Sequence, residues 1–165
     1  MSLRDYKQAQ QAKRTGKLLL SIKGLLTPLE CTPTICQGRC CRKHNANLTS
    51  HYHSEELSKL PVELLEFVDT TNSNSIRIDS KGNCKLIPYC MENSSIIPTE
   101  CRLFPLGFNK CGRLVLKRWV YTGACPMYGK GQPIYIAMRQ CLVDVFGEVV
   151  YSNIVHQIEN NTPRF

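Results

Sequence analysis

Cys31-Thr32-Pro33-Thr34-Ile35-Cys36-Gln37-Gly38-Arg39-Cys40-Cys41 sets four cysteines in eleven residues, the last two adjacent. Thiols crowded in this way serve as metal ligands or as disulfide partners. A third use, as small buried hydrophobes, needs no crowding, and Pro33 and Gly38 mark a loop rather than a packed element. Neighbouring cysteines rarely bridge each other. A disulfide wants Cα atoms about 5.5–6 Å apart, and a trans peptide holds neighbours at about 3.8 Å. Cys40 and Cys41 therefore reach different partners or share one metal centre. Gly38, between Cys36 and Cys40, lets the backbone curl so that sulfurs converge, as tetrahedral zinc or an iron–sulfur cluster requires.

The compartment reading agrees with metal. Residues 1–20 carry charges and glutamines where a secretory signal needs an apolar block, and no stretch approaches the roughly 20 apolar residues of a membrane span. The expectation is a cytoplasmic chain, where thiols hold metal more often than disulfides. With 165 residues and a hydrophobic fraction of 42%, the chain is long enough for one globular domain with a core of its own. The formal net charge of +8 counts every thiol as neutral. Eight thiolates would cancel it before the metal's own charge is added, so the basicity says little about nucleic acid.

Taken in order, residues 4–26 have helical composition, with apolar Tyr6, Ala9, Ala12, Leu19, Ile22 and Leu26 at three- and four-residue steps and Gly16 as an interruption. Arg4, Lys7, Lys13, Arg14, Lys17 and Lys23 make residues 1–26 a basic N-terminal helical segment. After the cysteine run, His44, His51 and His53 stand near the thiols and are candidates for a mixed site. Ser54 reads as a helix cap ahead of Glu55 and Glu56, and Pro61 divides the following apolar segment. Ser75–Asp79 alternates as a strand does, with a turn at Lys81-Gly82-Asn83 leading into Cys84. Prolines beside Cys90 and Cys101 restrict the backbone where ligands would be held.

Leu106 to Tyr121 reads as a hairpin with Cys111 in its turn as a spectator. Its second strand leads to Cys125, between Gly123 and Pro126, which reads as a ligand at a strand end. Pro133–Phe146 is expected as one helix ended by Gly147, with Cys141 on its apolar face in a packing role, and a final helix or strand follows. The expected fold class is α+β, a small single domain spanning 1–165, with short helices around a β-hairpin and irregular cysteine-rich loops held by a metal centre.

Cys36-x3-Cys40-Cys41, Cys84-x5-Cys90 and Pro98-x-x-Cys101-Arg102-x-Phe104-Pro105 together resemble the YkgJ family of cysteine-cluster proteins. The family is described as zinc- or iron-chelating, and flagellin lysine methylases carry a similar cysteine pattern. The resemblance covers residues 31–125. The chain departs from the family in the wider spacing from Cys31 to Cys36 and in Lys85-Leu86-Ile87 after Cys84. The resemblance implies a cofactor more firmly than a reaction.

The candidate metal ligands are Cys31, Cys36, Cys40, Cys41, Cys84, Cys90, Cys101 and Cys125. Both zinc and iron–sulfur centres accept four thiolates. The tidy paired knuckles of zinc ribbons are missing, which tips the cofactor toward an iron–sulfur cluster such as 4Fe–4S, with zinc as the alternative. No Ser/His/Asp arrangement, phosphate loop or zinc-protease motif is visible, so any catalysis would rest on the metal or a reactive thiol. Arg102 has two readings: an anchor for an anion, or a cap on backbone carbonyls. A zinc-stabilised module for nucleic acid or protein interaction is the competing function, drawing on the basic N-terminal segment and Lys117-Arg118-Trp119.

Overall fold

Among the described residues helices alternate with short strands, and two small sheets form. The computed structural model describes residues 2–30, 50–118, 120–121 and 125–161. Cys31, Cys36, Cys40 and Cys41, with His44, lie outside the described residues. Backbone contacts divide the chain into two units, Met1–Tyr6 with Gln37–Arg102, and Lys7–Cys36 with Leu103–Phe165.

In the first unit, helix α3 (Ser54–Leu57) is followed by a 3-10 turn, Val62–Phe67, with Pro61 at its cap. Two short helices divided at proline are what Pro61 dictates, because its ring fixes φ and removes a donor. Strands β2 (Val68–Asp69) and β3 (Ser75–Ile76) pair antiparallel, Val68 opposite Ile76. The turn between them is held by the Asp69 carboxylate, which accepts from the Thr71 amide at 3.1 Å and its hydroxyl at 2.6 Å. The strand expected over Ser75–Asp79 is shorter: pairing stops after Ile76 and resumes only at the bridge of Ile78 with Cys84. Helix α4 (Ile87–Glu92) and helix α5 (Thr99–Leu103) follow. Tyr52, Leu60, Leu64, Val68, Ile76, Leu86 and Ile96 form one small core, with Cys84 and Cys90 packed against it.

In the second unit, strand β5 (Arg113–Leu116) lies between β4 (Leu106–Phe108), antiparallel, and β1 (Leu19–Leu20), parallel. The β4–β5 hairpin turns where the sequence predicts. Asn109 Oδ1 accepts from the amides of Cys111 at 2.9 Å and Arg113 at 3.0 Å, and Gly112 takes φ +70°. The second strand does not reach Tyr121. The Val120 amide bonds back to the Lys117 carbonyl at 3.1 Å, so the chain turns after Lys117 despite its strand-forming composition.

The helical segment expected over 4–26, interrupted at Gly16, is three elements: α1 (Ser2–Thr15), β1 and α2 (Ile22–Leu26). Gly16 is the reason. At φ +69° its amide bonds the Ala12 carbonyl at 2.8 Å, a left-handed end to the helix that only glycine makes without strain. Likewise Pro133–Phe146 holds two helices, α6 (Ile134–Ala137) and α7 (Arg139–Phe146), because Met138 leaves helical geometry at φ −101°, ψ 17°. The final segment is helix α8 (Glu148–Asn161). Leu25, Leu106, Leu114, Ile134, Leu142, Phe146, Val150 and Ile154 are all but sealed from solvent and make this unit's core.

No helix among the described residues is long and apolar enough to cross a membrane. The α+β expectation holds at the level of mixed helices and small sheets.

Candidate metal centre

Three of the candidate ligands come from three separate elements of the first unit. Cys84 is held at a bridge with Ile78, at the end of a turn in which the Asp79 carboxylate accepts from the amides of Lys81 at 2.8 Å and Asn83 at 2.9 Å. These bonds, first of all those from Asn83, hold the Asp79 carboxyl below the usual carboxylate range. Cys90 lies in α4, its amide bonded to the Leu86 carbonyl at 2.9 Å, and Leu86 is wholly buried. Pro88 stands in the first turn of that helix, where a missing amide costs nothing. Cys101 lies in α5, its amide bonded to the Pro98 carbonyl at 2.9 Å.

The three thiols feel one another. Burial first, then the neighbouring Cys84, pushes the Cys90 thiol up to about 11. Burial also drives the Cys101 thiol well above the usual range, reinforced by Glu100, Cys84 and Cys90 and opposed by a hydrogen bond with the Ser50 side chain. All three bear on Tyr52, whose hydroxyl is raised by burial above all, and then by Cys90, Cys101 and Cys84. Tyr52 is 2% exposed and donates to the Ile96 carbonyl at 2.5 Å. Its amide bonds the Asn74 carbonyl at 3.0 Å, so the ring is fixed at both ends. No disulfide joins any two of the six described cysteines.

Glu56 ties the helix before the cluster to the one that carries Cys101. One carboxylate oxygen accepts from the Thr99 amide at 2.7 Å and its hydroxyl at 2.6 Å, and the other accepts from the His53 amide at 3.0 Å. His53, rather than Ser54, caps α3, its Nδ1 accepting from the Glu55 amide at 3.3 Å. The His53 ring stacks on Tyr6 with centroids 4.1 Å apart, and the Tyr6 hydroxyl donates to Glu55 at 2.6 Å. Burial and that hydrogen bond raise the Tyr6 hydroxyl to about 12. His51 Nδ1 stands 3.2 Å from the Ser73 carbonyl. Arg102 caps carbonyls: Nε donates to Ile97 at 2.8 Å and Nη2 to Ser95 at 2.7 Å.

Cys125 is half-buried against the core of the second unit. Cys141 packs against the same core, and Cys111 is exposed in the hairpin turn, as the sequence implies for both. Among the described residues, no group of three or more His, Cys, Asp or Glu side chains is arranged to hold a metal ion. Ser50, Tyr52 and Glu56 were not candidates on sequence grounds. Only Glu56 had a local signal, as the third helical residue of a capping box.

Comparison with family models, with curated proteins and with solved structures returns no match to this chain.

Proposed function

We propose that this chain is a cysteine-ligated metal-binding protein of the YkgJ-like kind, holding an iron–sulfur cluster with a redox or metal-handling role. The observation that supports the reading is that Cys84 raises the Cys90 thiol and that Cys84 and Cys90 both raise the Cys101 thiol, three candidate ligands drawn from a bridge and two helices. Zinc and iron–sulfur centres usually take four thiolates, a demand that thiols from separate elements can meet. The other candidate ligands are Cys31, Cys36, Cys40 and Cys41, outside the described residues, and Cys125.

The thiols' raised pKa values set the chemistry of loading. At neutral pH Cys90 and Cys101 are protonated in the metal-free chain, so each ligand that binds metal gives up a proton, and binding weakens as the pH falls. Tyr52 and Leu86 belong to the buried core against which Cys84 and Cys90 pack, and Ser50 supplies a hydroxyl against the Cys101 sulfur.

Anaerobic purification with visible absorbance and analysis for iron, zinc and acid-labile sulfide tests this. A brown protein with iron and sulfide in matching amounts is expected. Colourless protein with stoichiometric zinc would replace the cluster by a zinc site, and protein free of both metals would overturn the reading.

A further inference from the structure

The second unit contains a cleft of about 900 Å³, within the range of small-molecule sites. It is built from separate parts of the chain: Gln8 and Gln11 of α1, Lys17 just after that helix, Lys110 of the β4–β5 turn, and Asn153 and His156 of α8. Two contacts set its walls. The Asn153 amide donates to the Gly16 carbonyl at 2.9 Å, and a Cβ at Gly112 would come within 3.2 Å of the Gln8 amide oxygen, so that glycine lets the turn close on α1. His156 Nε2 lies 2.8 Å from the Asn160 amide nitrogen; with that amide donating, the neutral ring keeps its hydrogen on Nδ1.

The lining has one sign of charge. Lys17 and Lys110 are present, and no Asp or Glu is among the described residues that line it. Such a wall focuses a positive potential into a concave space. Side-chain amides supply neutral donors and acceptors, and Leu19, 61% exposed, leaves an apolar face for a ligand to cover.

We infer that this cleft binds a small organic anion, a phosphate- or carboxylate-bearing molecule with an apolar frame. The lysines take the anion and Leu19 takes the frame. The inference does not rest on the proposed metal centre: none of the described candidate ligands lines the cleft.

Cys111 lines the cleft and is exposed, so it reports occupancy. The purified protein is treated with iodoacetamide, an uncharged reagent, and Cys111 alkylation is followed by peptide mass spectrometry at fixed ionic strength. The probes are AMP and citrate, with adenosine and sodium chloride as controls. AMP or citrate at ten times its Kd should slow alkylation about tenfold. Lys17→Glu with Lys110→Glu should abolish the protection while leaving the circular dichroism spectrum intact, and the milder Lys17→Ala with Lys110→Ala should weaken it. Unchanged alkylation with both anions at about 10 mM, well above a millimolar Kd, overturns the inference. So does equal protection by adenosine or by sodium chloride, or protection that survives in both double variants.

Discussion

Glu56→Ala tests whether the helix carrying Cys101 is held in place through a carboxylate. The Glu56 carboxylate accepts three hydrogen bonds, at 2.6, 2.7 and 3.0 Å, two from Thr99 and one from His53. A hydrogen bond to a charged group contributes about 1.5–3 kcal/mol, and leaving a partner unpaired adds its desolvation cost. Glu56 is half-buried and water can reach some of the stranded donors, so the sum is well below three full bonds. We expect a loss of about 3 kcal/mol for Glu56→Ala. Glu56→Gln keeps one acceptor for Thr99 as neutral bonds and should lose about 1.5 kcal/mol, half of the alanine effect. At roughly 2–4 °C per kcal/mol for a chain of this size, the melting temperatures fall by about 6–12 °C and 3–6 °C. Urea unfolding followed by circular dichroism measures both. Combining Glu56→Ala with Thr99→Val isolates the pair, with an expected coupling of about 1 kcal/mol. Cys101 should also alkylate faster in Glu56→Ala than in the wild type, because its helix loses an anchor. A Glu56→Ala protein within about 0.5 kcal/mol of wild type, or zero coupling with Thr99, would refute the reasoning.

Tyr6→Phe should cost about 1.5 kcal/mol in the same urea assay, since it removes the 2.6 Å bond to Glu55 while keeping the stack on His53. In chelated, reduced protein, stability should fall in alkaline solution. The Cys90 thiol is raised from 9.0 to about 11 in the folded state, so its contribution is complete below pH 9 and is lost as the pH rises to about 11. Solvent screening of this partly exposed group limits the loss to about 2 kcal/mol, and Cys90→Ala should flatten that part of the pH profile. Cys101→Ala should strip metal from the purified protein, whereas Cys141→Ala should leave the metal content unchanged and cost only packing energy, a contrast that elemental analysis reads directly.

Features set by neighbours in the chain were legible from sequence: the break at Gly16, the hairpin turn at Asn109–Gly112, the division at Pro61 and the stop at Gly147. Each rests on the intrinsic geometry of glycine, proline or asparagine, which acts whatever surrounds it. The helix cap was misplaced by one residue, to Ser54, because a histidine ring nitrogen can accept the capping bond as well as a hydroxyl can. The longer strands expected at Ser75–Asp79 and beyond Leu116 failed for a tertiary reason, since backbone groups there find partners in turns and single bridges. Of the candidate centre, the cysteines were legible and the hydrogen bonds that hold the elements around Cys101 and Tyr52 were not. Glu56 meets Thr99 across 43 residues, and Tyr52 meets Ile96 across 44, distances at which no local pattern speaks.

The bond from Asn153 to the Gly16 carbonyl joins positions 137 residues apart. On a ribosome that interval is an obligation of order. The apolar flank of the first helix, Ala9 and Ala12, emerges early, while other members of the same core, Val150 and Ile154, are still untranslated. Loop closure over such a span adds only a slowly growing entropic cost, so the native pairing is thermodynamically cheap yet late. The nascent chain must keep that flank from wrong partners until residues 148–161 have emerged, which makes loss of that helix a fault in assembly rather than a simple shortening.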